Sequence, residues 1–241
     1  MQNVYNTIMW FLLLLWTPIL HAQTEPAPTK EHNRTFAVYA TIPAFAIGAS
    51  SALNGTLLQN GYPRIPRGNV NWGLGGQYRW NRLFLGVEML ASYQTRQREE
   101  TGSALARLAL TTNLITGLHV YKKSWFAVFP YVGLSATDAS VYLSKPTATA
   151  TVNSLLASPG NTVQLGHFSG GFVFGLGIDL QNADRSDSVF ESFRIGYRIS
   201  SEGAYPWESR FTQFSGAPAD NFNYWFFQLN LGAATHWTRA R

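Results

Sequence analysis

From residue 35 to the end of the chain, hydrophobic positions recur with a period of two. Val70, Trp72, Leu74, Gly76, Tyr78 and Trp80 share one face, and Asn71, Gly73, Gly75, Gln77 and Arg79 share the other. Successive side chains of a strand point to opposite faces, so this segment is apolar on one side and polar or small on the other. Leu83 to Tyr93 repeats the rule, and only Asn81 and Arg82 separate the two segments, which predicts a tight hairpin. Further apolar rows run from Leu108 to Val120, Phe168 to Leu180, Phe193 to Ile199 and Trp225 to Trp237. Phe36 to Ile47 and Trp125 to Leu134 are strand-like but contain Pro43 and Pro130, which lack the ladder N–H. The pattern predicts eight strands, with ten as the alternative count.

The polar rows decide the class. They consist mostly of Gly, Ser, Asn and Gln, with isolated charges at Arg79, Glu88, Asp179, Arg194 and Arg198. Small residues and scattered opposite charges suit the cramped interior of a narrow barrel, and broad apolar rows suit lipid. The expected fold is all-β: an eight-stranded antiparallel up-and-down transmembrane β-barrel. Short connections (Asn81-Arg82, Lys122 to Ser124, Gln181 to Ser188) alternate with longer ones (Ser50 to Gly68, Thr95 to Ala104, Thr137 to Val163, Ser200 to Phe222). Outer-membrane barrels have tight periplasmic turns and long outer loops, so the alternation predicts that both termini are periplasmic. Aromatic belts are expected at both strand ends, from Trp80, Trp125 and Trp237 at the short turns and Trp72 and Trp225 at the long loops.

Composition narrows the alternatives. Charged residues are 13% of the 241 positions, against an ordinary quarter, while aromatics reach 15%. That balance argues against disorder, and the absence of cysteine excludes a disulfide scaffold or a thiolate metal site. Ile8 to Leu20 is an uncharged apolar run, too short for a comfortable membrane-spanning helix, followed by Ala22 as a small residue before a cleavage point. We therefore expect a signal peptide over residues 1–22, a flexible lead-in over 23–34 and the barrel over 35–241.

The phrase FPYVGLSA, Phe129 to Ala136, and the last segment, Asn223 to Trp237, carry a family resemblance. The chain resembles the small eight-stranded outer-membrane barrels of the OmpA/OmpX type, including the PorT-like group, over about residues 35–237. The resemblance implies a Gram-negative outer-membrane location and, for the last strand, the insertion signal read by the assembly machinery. It implies an integral barrel with a structural or interaction role, in which the outer loops are the contact surface.

Three sets of residues are candidates for chemistry. Glu88, Arg194, Arg198, Arg79 and Asp179 form the first set. Buried charges must be paired or wetted, so these are expected to make lumen ion pairs that close the barrel, with a narrow pore as the alternative. Glu88 needs a partner, which either Arg194 or Arg198 could supply. His167 and Ser169, two apart on one strand face, with Glu202 to orient the histidine, resemble the His-x-Ser of lipid A deacylase barrels. The reading adopted is interior polar filling, so no enzyme is expected, with a lipid A-modifying hydrolase as the alternative. His119, His236 and Asp179 fall short of a convincing metal set, and neither metal nor cofactor is expected. The formal charge of +5 could suggest nucleic acid, but the basic residues do not cluster with aromatics. Phosphates of lipopolysaccharide suit Arg64 and Arg67 better, and another envelope protein could meet the outer loops.

Overall fold

The computed structural model describes residues 34–48, 50–122, 126–145, 162–180, 187–201, 205–209 and 216–237. The expected signal peptide and nearly all of the expected lead-in lie outside these residues, as do Trp125 and Glu202. Eight long strands are present among the described residues: β1 (Arg34–Gly48), β2 (Gly68–Trp80), β3 (Leu83–Gln97), β4 (Ala104–Leu118), β5 (Phe126–Ser144), β6 (Thr162–Leu180), β7 (Asp187–Ser200) and β8 (Tyr224–Trp237). Each pairs antiparallel with its chain neighbours, and β1 pairs with β8, so the sheet closes on itself without an edge. The ring has eight strands rather than ten.

The pairing register fixes the shape. Followed from Glu88 through Asn113, Ser135 and Gly171, the rungs reach Ser200 on β7. Followed the other way, through Gly75, Tyr39 and Gly232, they reach Phe190 on the same strand. The two endpoints differ by ten residues, 200 less 190. A stagger of ten over eight strands tilts each strand by about 40° and leaves an interior just wide enough for side chains.

The outward row is apolar all round. Val38, Leu74, Leu85, Leu114, Leu134, Phe172, Ile195 and Trp225 all stand on the outer face. Such a surface, continuous around a closed sheet, is satisfied by hydrocarbon and not by water. The chain is a transmembrane β-barrel. Trp72, Trp80 and Trp225 are half-exposed or more on this outer face, Trp80 as the last residue of β2, Trp72 as its fifth and Trp225 as the second of β8. Trp237 closes β8 opposite Arg34.

The two prolines are accommodated differently. At Pro43 the register of β1 shifts between Thr41 and Ala44, so the inward row passes from Thr35, Ala37, Tyr39 and Thr41 to Ala44 and Ala46. A bulge absorbs the extra residue and spares the ladder an N–H that proline cannot give. Pro130 lies between the last β4 rung, Gly117 with Tyr131, and the short pairing of Tyr121 with Val128. In the two-residue turn Asn81 takes φ 56°, a left-handed conformation that asparagine tolerates.

The expected outer loop from Thr137 to Val163 is a correction. β5 continues as a strand to Ser144 and β6 starts at Thr162, 19 residues each. Along β5 the outward residues change from Val128, Val132 and Leu134 to Asp138, Ser140, Tyr142 and Ser144, while the inward ones pass from Phe129 and Tyr131 through Ser135 and Thr137 to Ala139, Val141 and Leu143. The outward row becomes more polar and the inward row wholly apolar, the change expected of a hairpin that runs out of hydrocarbon into water over an apolar core.

That core lies at the long-loop end. Helix α1 (Leu53–Gln59) from the first long connection places Leu53 and Leu57 against Leu105, Val141, Leu143, Leu165 and Trp207. Asn54 ties it down by exchanging two hydrogen bonds with the backbone of Ile65, at 2.7 and 3.1 Å. Asp220 accepts from the Ser51 hydroxyl, from the Ala52 N–H at 2.5 Å and from the Trp207 indole N–H at 2.7 Å.

Candidate functional site

The interior polar row forms three successive levels. At the short-turn end Asp179 of β6 is fully buried. It accepts from Arg79 Nη2 at 2.6 Å, meets His119 Nε2 at 3.1 Å and accepts from Gln77 Nε2 at 3.4 Å. These residues come from β2, β6 and the residue just past β4, brought together by sheet closure. Among the described residues no group of three or more metal-ligating side chains occurs.

The middle level is built on Glu88 of β3 and Arg194 of β7. Arg194 Nη1 donates to Glu88 Oε1. Glu88 also accepts from the Tyr39 hydroxyl at 2.9 Å, Gln228 Nε2 at 2.9 Å and Asn113 Nδ2 at 3.4 Å. The guanidinium lies 5.4 to 6.0 Å from the ring centres of Tyr39, Phe84 and Phe129, a cation–π setting. Its Nη2 donates to Gln77 Oε1 at 2.9 Å, so Gln77 joins the two carboxylate clusters into one network.

The third level is Arg198, the other arginine considered for Glu88. It forms no ion pair with a described carboxylate. Instead its nitrogens donate to the carbonyls of Ser169 and Phe222, both at 2.6 Å, and to the Ser135 hydroxyl at 3.0 Å. The reason is height along the barrel axis. β7 is diametrically opposite β3, and residue 195 lies midway between the two rungs that lead from Glu88 to Phe190 and Ser200. Arg194 is one residue from that level. Arg198 is three residues above it and meets backbone oxygens at the mouth.

Glycines make room for the rings of the middle level. A Cβ at Gly177 would come within 2.2 Å of the Phe129 ring, and one at Gly75 within 2.5 Å of Tyr39. Gly177→Ala therefore forces Phe129 from its place beside Arg194. We expect a loss of about 1–3 kcal/mol, read as a lower urea midpoint in detergent.

The His-x-Ser pair lies inside. His167 Nε2 is bonded to the Asp220 carbonyl at 3.0 Å, with its ring between Trp207 and Phe222. Ser169 Oγ is 3.1 Å from Ser200 Oγ. Neither is hydrogen-bonded to the other, and the two are buried among cap residues. Glu202 and the side chain of His236 lie outside the described residues.

Sequence reasoning placed the five charges on the inner face but missed their neutral partners. Gln77, Gln228 and Asn113 were visible only as polar positions, and Tyr39 sits in a strand whose proline obscured its phase. Asp220 and Trp207 had no periodic signal at all.

No family model matches the chain, and no curated protein sequence is similar to it. Several solved structures are similar in shape. The attachment invasion locus protein Ail of Yersinia pestis has 9% identity over 86% of this chain and 100% of its own, with a TM-score of 0.44. A major outer membrane protein from Thermus thermophilus has 12% identity over 85% and 99%, with a TM-score of 0.45. The outer membrane protease OmpT from Escherichia coli has 8% identity over 89% and 100%, with a TM-score of 0.38. At such identities the likeness concerns architecture and conveys no activity. The chain is a closed eight-stranded antiparallel β-barrel with an apolar outer face.

Proposed function

We propose that the chain is an integral protein of a Gram-negative outer membrane with a structural or interaction role. Its short turns and both termini face the periplasm, and its long connections form the outward contact surface. The lumen is closed by its own side chains and does not serve as a channel. The observation that carries this reading is the network from Asp179 through Gln77 and Arg194 to Glu88, which crosses an interior already narrow at eight strands. The cap over the long-loop end supports it further, because it blocks that end with an apolar core. Exposed Arg64 and Arg67 on the first long connection suit the phosphates of lipopolysaccharide, a contact that weakens with salt.

Orientation is tested by a short tag inserted after Gly160, in a Ser-Pro-Gly-Asn turn signal outside the described residues. The tag should bind antibody on intact cells. A tag reached only after the outer membrane is permeabilised reverses the topology.

A further inference from the structure

Just beyond the membrane boundary, the outer wall of the barrel carries a cleft of about 480 Å³. Its floor is Gly166 of β6. On one side Ser140 of β5 is the rung partner of Gly166. On the other side Glu208 bridges it: the Glu208 N–H donates to the Gly166 carbonyl at 2.9 Å, and the Glu208 carbonyl accepts from the Gly166 N–H at 2.7 Å. Directly paired residues point to the same face, so Ser140 and Glu208 flank an empty position. Two strand spacings separate their backbones by about 10 Å. A Cβ at Gly166 would meet no atom within 4 Å. Two rungs toward the membrane, on the same face, Asp138 pairs with Phe168, which is 64% exposed, and Tyr205, 43% exposed, also lines the cleft.

The chemistry of this lining is selective. Asp138 and Glu208 only accept hydrogen bonds when ionised, while Ser140 and Tyr205 both donate and accept. The faces of Phe168 and Tyr205 carry negative quadrupole density that suits polarised C–H groups. No lysine or arginine is among the described lining residues, and the carboxylates of Asp138 and Glu208 disfavour an anion. A ligand rich in hydroxyl donors, with an apolar C–H face and no negative charge, fits all of these features.

We infer that this cleft binds a saccharide unit carrying no negative charge. It lies where the outward row of β5 and β6 changes from apolar to polar, which is the level of membrane headgroups. The sugar could therefore belong to a membrane glycolipid or to a free oligosaccharide. The cleft depends only on the fold, whereas its access to cell-surface sugars rests on the outward orientation proposed above.

The test uses the purified full-length barrel in detergent, titrated with maltotriose, chitotriose and a sulfated heparin-type disaccharide, and read by saturation-transfer NMR. At least one neutral trisaccharide should bind saturably and the sulfated sugar should not. Gly166→Trp, which fills the open floor, should weaken that binding at least tenfold, about 1.4 kcal/mol. Its heat-modifiable folded band should be unchanged. Glu208→Gln with Asp138→Asn should also weaken it, a second variant that leaves the floor intact. Competition by glucosyl-diacylglycerol micelles assigns a membrane source, and competition by free sugar alone assigns a soluble one. Binding of neither trisaccharide, equal binding of the sulfated sugar, or wild-type binding by Gly166→Trp would overturn the inference. None of these results depends on which way the barrel faces in cells.

Discussion

Replacing Glu88 by alanine should lower the folded, heat-modifiable fraction far more than replacing Glu208. Glu88 is 3% exposed and is the carboxylate that meets Arg194, which is itself 1% exposed. Removing one member of a buried pair leaves the other charge uncompensated, at a cost of about 3–5 kcal/mol. The hydrogen bonds from Tyr39, Gln228 and Asn113 would lose their common acceptor in the same step. Glu208 has an exposed side chain and serves the fold through its backbone bridge, so Glu208→Ala should change little. The partner is identified by a second change. Arg194→Met should recover part of the loss caused by Glu88→Ala, because the double variant removes both charges. Arg198→Met should not, since its donors go to the Ser169 and Phe222 carbonyls. Urea titration of the folded band across the four combinations measures the coupling. If the Arg194 double variant equals the sum of its singles, Glu88 and Arg194 do not act as a pair.

The second large effect is on the lipid face. Leu114 pairs with Val87 and Leu134, one residue beyond the Glu88 level, and its side chain stands outward. Leu114→Arg places a cation near the bilayer midplane and should cost about 2–4 kcal/mol or block assembly. Leu114→Phe keeps the face apolar and should assemble like the parent chain. The comparison is read from the outer-membrane fraction and from refolding into lipid vesicles. Equal yields of the two variants would mean that this face is not against hydrocarbon.

How much of this was legible in the sequence follows from what sets each feature. The rows of β2, β3 and β7 could be read directly, because inside the membrane one face meets lipid and the other meets the lumen. The same rule hid the outer half of the β5–β6 hairpin. Beyond Thr137 the two faces exchange roles, and the phase that marks a strand in lipid there reads as a loop. Helix α1 was hidden for a different reason. LNGTLLQ is short, and tertiary contacts hold it: the apolar packing on Leu105, Val141 and Trp207 and the bonds between Asn54 and Ile65. The choice between Arg194 and Arg198 was beyond reach because both share one face of one strand. Only the ten-residue stagger of the closed ring puts Arg194 level with Glu88. The cleft over Gly166 likewise depends on Glu208 returning to pair with β6, a contact spanning 42 residues of chain, 208 less 166.

The central claim is that the network from Asp179 to Glu88 closes the lumen. Single-channel recording of the purified protein in planar bilayers tests it most directly. A silent bilayer is expected for the parent chain under moderate voltage, with no stepwise current as protein is added. A steady, reproducible conductance step from the parent protein would contradict it, because an open ion path cannot coexist with a lumen closed by the contacts from Asp179 through Gln77 and Arg194 to Glu88.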